Sequence, residues 1–377
     1  MVYLDYNATT PLCREAREAM LPLFEAGFGN PSSIHAEGRR ARSVVDDARD
    51  QMASALGAKA HEIIFTGGGT ESCNLGVIGL ARAHAPRGKH IITSAIEHHA
   101  VLHAFEYLKH FEGFEVEILP VGPSGTVNPE HLAKAIRPDT TLVSVMHANN
   151  ETGAIQPIRE LAEICKQHGV FFHTDAVQTF GKLPLQPHAE GLTAVSLAAH
   201  KFHGPKGVGA LFLSAGVALS RTSHGGAHEN TRRPGTENVA GIAGMAAAAV
   251  TASRYEATGL LPLREMLWSG IQQECPQAIR NGDPERCLAN TLNVSFPGAD
   301  GESLLIGLDL EGICVSSGSA CMVGSIQASH VLLAMGVAEK TALASVRFSL
   351  GRETTEDDIR RTIHAMRRVL ELQPLAV

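Results

Sequence analysis

Lys201 is the residue whose surroundings most strongly suggest chemistry. It follows an apolar run, residues 195–199, that is typical of a buried β-strand, and a turn containing glycine and proline, residues 203–207, comes after it. Burial disfavours the charged form of a lysine and makes the neutral, nucleophilic amine available near pH 7. Such an amine can bind an aldehyde covalently. The alternative is a lysine that only reaches solvent from the end of a strand.

Residues 67–72, with the sequence GGGTES, lie between a predicted strand and a predicted helix. Backbone N–H groups at the start of a helix, together with the hydroxyls of Thr70 and Ser72, form a site suited to a phosphate group. A plain flexible turn is the alternative. The chain contains neither a Walker phosphate-binding loop nor the glycine fingerprint of dinucleotide-binding proteins.

Asp175 and Gln178 follow another apolar run, residues 170–172. A carboxylate at the end of a buried strand is costly unless a positive charge pairs with it. A protonated pyridine nitrogen would supply that charge, and the pairing keeps the aromatic ring a good acceptor of electrons. Gln178, about one helical turn further on, could donate a hydrogen bond to a phenolic oxygen of the same ring. For Asp175, the alternative is a helix N-cap.

The histidines include two groups with helical spacing, His98, His99 and His103 in one and His224 and His228 in the other. Neither group comes with the carboxylates or cysteines that a tight metal site needs, so we do not expect a catalytic metal. His98 follows a predicted strand. A histidine in that position can stack on a flat ring and transfer protons.

Two further candidates lie near the C-terminus. Arg347 belongs to a predicted strand, residues 346–350, and its guanidinium group can bind a carboxylate through two hydrogen bonds. A surface ion pair is the alternative.

Cys321 lies in a loop of serine, glycine and alanine that offers little to bury a thiol, so we expect it to be exposed and reactive. Here the alternative is an incidental exposed cysteine.

The composition limits the class of protein. The 377 residues carry a formal net charge of −7 and no basic block, which argues against nucleic acid or an anionic membrane as a partner. We see no secretory signal and no apolar run long enough to span a bilayer, so we expect a cytoplasmic protein. The seven cysteines are dispersed without a CxxC pair, which argues against a disulfide framework or a structural zinc site.

Short apolar runs alternate with helical stretches through the first two thirds of the chain. This alternation predicts an α/β fold with a mostly parallel sheet and helices on both faces. Polar residues follow five of the runs, at the strand ends where ligands bind in such sheets. The later part of the chain predicts a smaller α+β domain. We therefore predict a large domain of residues 13–257 and a small domain formed by residues 1–12 and 258–377.

Together these residues resemble those of the cysteine desulfurases, pyridoxal-phosphate enzymes of the aspartate aminotransferase fold type. The resemblance covers essentially the whole chain. It is carried by segments 3–10 (YLDYNATT), 28–33 (FGNPSS), 65–72 (FTGGGTES), 148–153 (ANNETG), 173–178 (HTDAVQ), 200–201 (HK), 233–238 (RPGTEN), 316–321 (SSGSAC) and 347–352 (RFSLGR). It implies a fold-type-I enzyme with a mostly parallel, seven-stranded sheet in the large domain and a smaller α+β domain that carries the cysteine loop.

The resemblance also implies roles for the site residues. Lys201 would bind the cofactor, pyridoxal 5'-phosphate, and Cys321 would form a persulfide. The residues implied to bind the cofactor are Gly69, Thr70, His98, Asn150, Asp175, Gln178, His200, Lys201 and Thr236. Those implied to bind the substrate are Asn30, Asn150 and Arg347, and those implied to be catalytic are Lys201, Cys321 and His98. Thr236 would act in the site of a partner subunit, which implies an obligate homodimer.

The implied reaction removes sulfur from L-cysteine, gives L-alanine and passes the sulfur to an iron–sulfur scaffold or another acceptor protein. Within the family, the chain is most similar to members that serve nitrogenase maturation or general iron–sulfur assembly. A selenocysteine lyase and an aminotransferase of the same fold are alternatives, and an idle sulfur carrier or assembly scaffold is another. The chain departs from the family pattern at Ala198, where many relatives have a hydroxyl or thiol, and within residues 322–328.

Overall fold

The computed structural model describes residues 1–255, 257–317 and 327–372. Its strands are β1 (Val2–Tyr3), β2 (Ile63–Thr66), β3 (His90–Ser94), β4 (Glu115–Leu119), β5 (Thr140–Ser144), β6 (Phe171–Asp175), β7 (Ala194–Ala198), β8 (Gly209–Leu213), β9 (Ile279–Arg280), β10 (Thr291–Ser295), β11 (Ile313–Cys314) and β12 (Ser345–Ser349). Its α-helices are α1 (Arg14–Glu25), α2 (Ala36–Leu56), α3 (Gly69–His84), α4 (His99–Glu112), α5 (Pro129–Ala135), α6 (Ile158–Gln167), α7 (Val239–Ala252), α8 (Leu261–Glu274), α9 (Gly301–Leu310), α10 (His330–Ala334), α11 (Glu339–Leu343) and α12 (Glu356–Glu371).

A seven-stranded sheet in the order β2-β8-β7-β6-β5-β3-β4 forms the centre of the molecule. Its strands are parallel except β8, which runs antiparallel to both of its neighbours. The predicted α/β fold and the mostly parallel, seven-stranded sheet are therefore confirmed. All residues of β5, β7 and β8 are buried, because helices cover both faces of the sheet.

The alternation of side chains along each strand separates two apolar layers. On β7, Val195 and Leu197 pack with residues of α2, α6 and α7, whereas Ala194 packs with residues of α3 and α4. Successive residues of a strand face opposite sides, so one short strand contributes to both layers. This double burial explains why the strands read as continuous apolar runs in the sequence.

A separate apolar core contains residues of β10, β12, α8, α9 and α12. Strand β10 lies between β9 and β12 in an antiparallel sheet. The N-terminal arm joins this core through Val2 and Leu4, and β1 pairs in parallel with β11. The division into residues 13–257 and residues 1–12 with 258–377 stays a prediction, which the separate core supports.

A capping box marks the start of helix α12. Thr355 and Asp358 form a capping box: Asp358 N donates to Thr355 Oγ1 (3.2 Å), and Thr355 N donates to Asp358 Oδ2 (2.9 Å).

Within the described ranges, no helix has both the length and the apolar character needed to cross a lipid bilayer.

We expect Leu197→Ala to lower the free energy of unfolding by about 2–5 kcal/mol, because it leaves a cavity at a fully buried position of β7. Urea denaturation followed by circular dichroism measures the change. Leu310→Ala is the matched control, since Leu310 is 83% exposed and its loss should cost less than about 0.5 kcal/mol. Equal costs for the two variants would contradict the burial of β7.

Candidate active site

A cavity of about 310 Å³ lies where β6 and β7 end and α3 begins. Parallel strands present their carboxyl ends at the same edge of a sheet, which is where polar side chains were predicted to meet. Nine of the residues singled out from the sequence line it: Gly69, Thr70, His98, Asn150, Asp175, Gln178, His200, Lys201 and Arg347. The structure thus brings an amine, a carboxylate, a helix N-terminus and a guanidinium group around one space.

Lys201 ends a short 3₁₀ turn, Ala199–Lys201, that follows β7 directly. Its Nζ donates hydrogen bonds to the main-chain oxygens of Asn7 (2.6 Å) and Ala8 (2.9 Å). The N-terminal arm therefore holds the amine at the wall of the cavity. A lysine that merely reaches solvent from a strand end would not make these two contacts.

Asp175 is the last residue of β6 and is buried. Its Oδ1 accepts a hydrogen bond from Val177 N (2.9 Å), so the capping alternative accounts for one of its oxygens. The thiol of Cys73 donates to Oδ2 from 3.5 Å, and a thiol is a weak donor. A buried carboxylate oxygen with so weak a partner remains available to a cationic ligand.

His98 is the N-cap of α4, and its Nδ1 accepts a hydrogen bond from Ala100 N (3.1 Å). Burial lowers the pKa of His98, and the positive charge of Lys201 lowers it further, against the opposing effect of Asp175. The ring is therefore neutral at neutral pH, and its proton lies on Nε2, because Nδ1 is the acceptor. This leaves Nε2 as the proton-donating atom.

Glu97, next to His98, is fully buried. Its Oε1 accepts hydrogen bonds from Ser94 Oγ (2.5 Å) and Met146 N (2.9 Å), while Oε2 has no partner among the described residues. Burial raises the pKa of Glu97 to about 8, and the negative charge of Asp175 adds a smaller rise. Glu97 is therefore protonated at neutral pH and does not add a second negative charge beside Asp175.

The first turn of α3 forms another part of the cavity wall. Gly69 and Thr70 begin this 16-residue helix, whose first N–H groups have no partner within the helix. A Cβ atom on Gly69 would lie 3.1 Å from side-chain atoms of Ala198 and Val177, so glycine permits the close approach of the helix to the strand end. Ala198 contributes a methyl group here and no hydrogen-bond donor.

His200 also lines the cavity, and its Nδ1 lies 3.2 Å from Thr9 Oγ1. Burial lowers the pKa of His200 to about 4, with help from the positive charges of Lys201 and Lys206. His200 is therefore neutral at neutral pH. It can contribute a hydrogen bond to an anion but not a positive charge.

Arg347 lies on β12 and is 3% exposed. Its Nη1 donates to Asn150 O (3.0 Å) and its Nη2 to Asp5 Oδ1 (2.8 Å). Its Nε is buried and has no partner within the described part of the chain. A buried, unpartnered guanidinium N–H beside a cavity suits a carboxylate ligand, and the surface ion pair considered from the sequence is not what the structure contains.

Three of the predicted residues do not line this cavity. Asn30 is exposed, and its Oδ1 accepts a hydrogen bond from Ser32 N (2.9 Å). Thr236 is exposed and lines a different cleft of about 80 Å³, together with Gly67 and Arg233. Cys321 lies outside the described residues. The roles of all three stay predictions.

Asn7 is a central residue that the sequence reasoning did not single out. It is 1% exposed, its main-chain oxygen accepts hydrogen bonds from Lys201 and from Gln178 Nε2 (2.9 Å), and its Nδ2 donates to Asn150 O (3.2 Å) and Thr291 Oγ1 (2.9 Å). A lone asparagine in an extended arm has no periodic pattern that would reveal these long-range contacts.

Cys73 and Lys182 were also missed, although both had a detectable signal. Cys73 lies one turn after Thr70 in α3, so helical spacing turns it toward the same end of the sheet. Lys182 lies four residues after Gln178, and its Nζ is 3.2 Å from Gln178 Oε1. Spacing from a neighbouring site residue was the signal in each case.

These groups together fit a phosphorylated pyridine aldehyde. The amine of Lys201 suits the aldehyde, the under-coordinated carboxylate of Asp175 suits a protonated ring nitrogen, and the N-terminus of α3 suits the phosphate. The cavity of about 310 Å³ lies within the size range of small-molecule sites.

Comparison with known proteins gives matches along almost the whole chain. Residues 2–362 match the family described as Aminotransferase class-V. The chain is 48% identical over 373 residues to the cysteine desulfurase IscS of Dictyoglomus turgidum, with 98% of this chain and 94% of the relative covered. It is 47% identical over 373 residues to the cysteine desulfurase IscS of Methanosarcina thermophila, with 98% and 92% covered.

Solved structures agree with these matches. A NifS-like protein superimposes with a TM-score of 0.92 at 38% identity, covering 98% of this chain and 99% of that chain. The structure described as SspA in complex with cysteine superimposes with a TM-score of 0.83 at 35% identity, covering 93% and 99%.

We expect the stabilising effect of Glu97→Gln to grow with pH. The pKa of Glu97 is about 8 in the folded chain against 4.5 without burial, so the folded state retains a proton that the unfolded state releases as pH rises. Stability is therefore lost between about pH 4.5 and pH 8, and glutamine removes that loss. The Tm difference between variant and wild type should increase by about 2–4 °C from pH 5 to pH 8 and then level off.

Differential scanning fluorimetry across this pH range measures the difference. Glu163→Gln, on the exposed face of α6, controls for the general effect of losing a carboxylate. A Tm difference for Glu97→Gln that is independent of pH would contradict a protonated Glu97.

Proposed function

Because the chain belongs to the class-V aminotransferase family and, within it, to the cysteine desulfurases, we propose that it removes the sulfur atom of L-cysteine. The products are L-alanine and a persulfide on Cys321 of the enzyme. The observation that carries this proposal is the cavity that Lys201, Asp175 and Arg347 share. An amino acid substrate needs such a set, since its carboxylate requires a cation and its amino group must reach an activated carbonyl carbon.

Enzymes of this family depend on pyridoxal phosphate in general, and we propose that this chain binds it in the cavity. Lys201 would hold the aldehyde carbon, Asp175 the ring nitrogen, and the first turn of α3 with His200 the phosphate. When bound, the cofactor supplies an electron sink that makes the α-hydrogen of an amino acid acidic. Gln178, Asn150 and His98 would complete the proposed set of ring contacts, and Thr236 would reach the phosphate in the site of a partner subunit.

The chain's own residues then bind the substrate and move its protons. Arg347 binds the substrate carboxylate through Nε, a donor that has no partner among the described residues. Lys201 Nζ takes the α-proton, for which it must leave its contacts with the carbonyls of the N-terminal arm. His98 is a neutral donor and can deliver a proton from Nε2.

In the sulfur step the thiolate of Cys321 attacks the substrate sulfur. A sulfur–sulfur bond forms while the Cβ–S bond breaks, and its electron pair stays with the carbon fragment that becomes alanine on protonation. No external oxidant is required, because the carbon gains the electrons that the sulfur loses. Ionisation of the cysteine thiol is the condition for attack.

Described residues on both sides of the cysteine loop support the role of Cys321. Ser316 and Arg347 exchange two main-chain hydrogen bonds (2.7 and 3.3 Å), and His330 Nε2 lies 3.0 Å from Glu97 O. Cys321 follows Ser316 by five residues, a length of chain that spans up to about 17 Å when extended. Because Arg347 lines the cavity, this length of chain supports the proposal that Cys321 acts there.

We include a homodimer and a sulfur-acceptor protein in the proposal. Four large apolar side chains on α1 and the loop after it are 51–91% exposed, and so much exposed apolar surface on neighbouring segments favours a protein partner: Leu21, Phe24, Phe28 and Ile34. Thr236 does not line the cavity of its own chain. This is what we expect if Thr236 acts in the site of a partner subunit. An iron–sulfur scaffold is the proposed acceptor class, and the cytoplasm is the proposed location.

We expect Lys201→Ala to abolish turnover and the visible absorbance that pyridoxal phosphate acquires when it is bound to the chain. The reason is that the substitution removes the amine that holds the cofactor. Absorbance spectra and alanine release from L-cysteine are the measurements. Lys166→Ala, on the exposed face of α6, is the control and should behave as wild type. Retained turnover in Lys201→Ala would refute the role of this amine.

Replacing Cys321 by Ala should leave the cofactor spectrum unchanged and reduce sulfide release from L-cysteine in the presence of a thiol at least 100-fold, which corresponds to about 2.7 kcal/mol. The physical reason is the loss of the sulfur-attacking nucleophile. Cys275→Ala is the control, because Cys275 is buried in the separate core around β10. Sulfide release that survives in Cys321→Ala would favour the selenocysteine lyase alternative.

A further inference from the structure

Lys182 is a second lysine at the candidate active site. Its Nζ lies 3.2 Å from Gln178 Oε1 and 3.3 Å from Asn7 Oδ1. Asn7 also accepts a hydrogen bond from Lys201 through its main-chain oxygen. Asn7 therefore contacts both amines: its side-chain oxygen accepts a hydrogen bond from Lys182, and its main-chain oxygen accepts one from Lys201.

Lys182 has amide oxygens as hydrogen-bond acceptors and forms no salt bridge with a described carboxylate. Positive charges surround it instead: Lys201 and Arg347 both oppose its protonation. Burial, together with these two charges, lowers the pKa of Lys182 to about 7. No described carboxylate pairs with Lys182 to hold its charge, and the repulsion between the two amines is mutual, so a proton on either lysine disfavours a proton on the other.

Lys182, Lys201 and Asn290 line a small cavity of about 30 Å³, which has room for about one water molecule and not for an organic ligand. Apolar side chains, among them Phe180 and Phe202, form much of the rest of its wall. Electrostatic repulsion between two amines is stronger beside such a wall than in bulk water.

The titratable and charged groups that face the two amines come from several elements. They are Asp175 at the end of β6, Cys73 on α3, His98 at the start of α4, His200 and His203 around the turn after β7, Arg347 on β12 with its partner Asp5, and Tyr6, Tyr255 and Arg352 around the small cavity. His98 and His200 are neutral, and Asp5 is paired with Arg347. Asp175 is therefore the carboxylate in this set that remains to balance the positive charge of the amines, since Asp5 is paired with Arg347.

We propose that Lys182 is a positioning residue of the proposed reaction. Lys182 and Lys201, which contact different oxygens of Asn7, together hold one proton. When that proton is on Lys182, the Lys201 amine stays uncharged and nucleophilic. When Lys182 holds the proton, the charge repels a second proton from Lys201, and the two amines titrate as a pair. This inference rests on the proposed function, because it explains how Lys201 reaches the state that reacts with an aldehyde or takes an α-proton.

Lys182 also sets the orientation of two amides. A protonated lysine only donates, so Gln178 Oε1 and Asn7 Oδ1 must face it. Gln178 Nε2 is then directed to Asn7 O (2.9 Å), and Asn7 Nδ2 to Asn150 O (3.2 Å) and Thr291 Oγ1 (2.9 Å). The same side chain therefore influences both the charge of Lys201 and the geometry of the arm that contacts it.

Two variants test the proposal in the full chain. Lys182→Met removes the charge and keeps the length of the side chain, whereas Lys182→Arg keeps a permanent charge. Lys166→Met, on the exposed face of α6, is the matched control for the loss of one lysine. The first readout is the pH midpoint of the visible absorbance change of the chain loaded with pyridoxal phosphate, which reports protonation of the nitrogen of Lys201.

We expect Lys182→Met to raise this midpoint by about one pH unit, the order of effect of one nearby charge. Lys182→Arg should give a midpoint at or below the wild-type value, and Lys166→Met should leave it unchanged. A purely structural role for Lys182 would alter the Tm without moving the midpoint. An unchanged midpoint in Lys182→Met, with the variant folded, would overturn the proposal.

The second readout does not require the cofactor. The reactivity of Lys201 toward trace acetic anhydride, measured by mass spectrometry across pH in the chain freed of cofactor, should show the same upward shift in Lys182→Met. If the wild-type chain takes up no pyridoxal phosphate, the proposed function fails, and this labelling still decides whether the two lysines share a proton. If the cofactor binds and neither readout shifts, only the inference about Lys182 fails.

Discussion

The hydrogen bond from Lys201 Nζ to the main-chain oxygen of Asn7 joins the parts of the molecule that the site needs. Lys201 lies at the end of β7 in the central sheet, whereas Asn7 belongs to the N-terminal arm. Asn7 N donates to Ser349 Oγ (2.9 Å), and Asn290 Nδ2 donates to Asn7 Oδ1 (3.0 Å), which ties the arm to the sheet of β10 and β12. A partly buried amine needs acceptors, and here they come from a segment that only the complete fold brings near.

Burial sets the protonation states around this contact. The pKa of Glu97 is raised to about 8 and that of His200 is lowered to about 4, so two groups that would be charged or partly charged in water are neutral here. The carboxylate of Asp175 is left to face the amine of Lys201 and the guanidinium of Arg347 across the cavity. Desolvation thus separates the groups available for ionic contacts with a ligand from those that serve as neutral hydrogen-bonding partners.

Much of the fold could be predicted because each strand is short, apolar and doubly buried. The run at 195–199 corresponds to β7, and the predicted strand at 346–350 corresponds to β12 (Ser345–Ser349) with its bounds one residue earlier. Part of the site could be predicted for the same reason, because Asp175 and Lys201 directly follow apolar runs. Asn7 could not, because its contacts join residues that are distant in the sequence and show no period.

By itself, the sequence determined the alternation of strands and helices, and hence the edge of the sheet at which functional side chains meet. Local patterns suffice for this, because burial and periodicity act over a few neighbouring residues. The tertiary structure decided which neighbours each of these side chains has: the arm on Lys201, Cys73 on Asp175, and the shared contacts of Lys182 and Lys201 with Asn7. These contacts decide the protonation and orientation of the site's side chains. Such electrostatic effects depend on distances in space and on the exclusion of water, and a local stretch of sequence specifies neither.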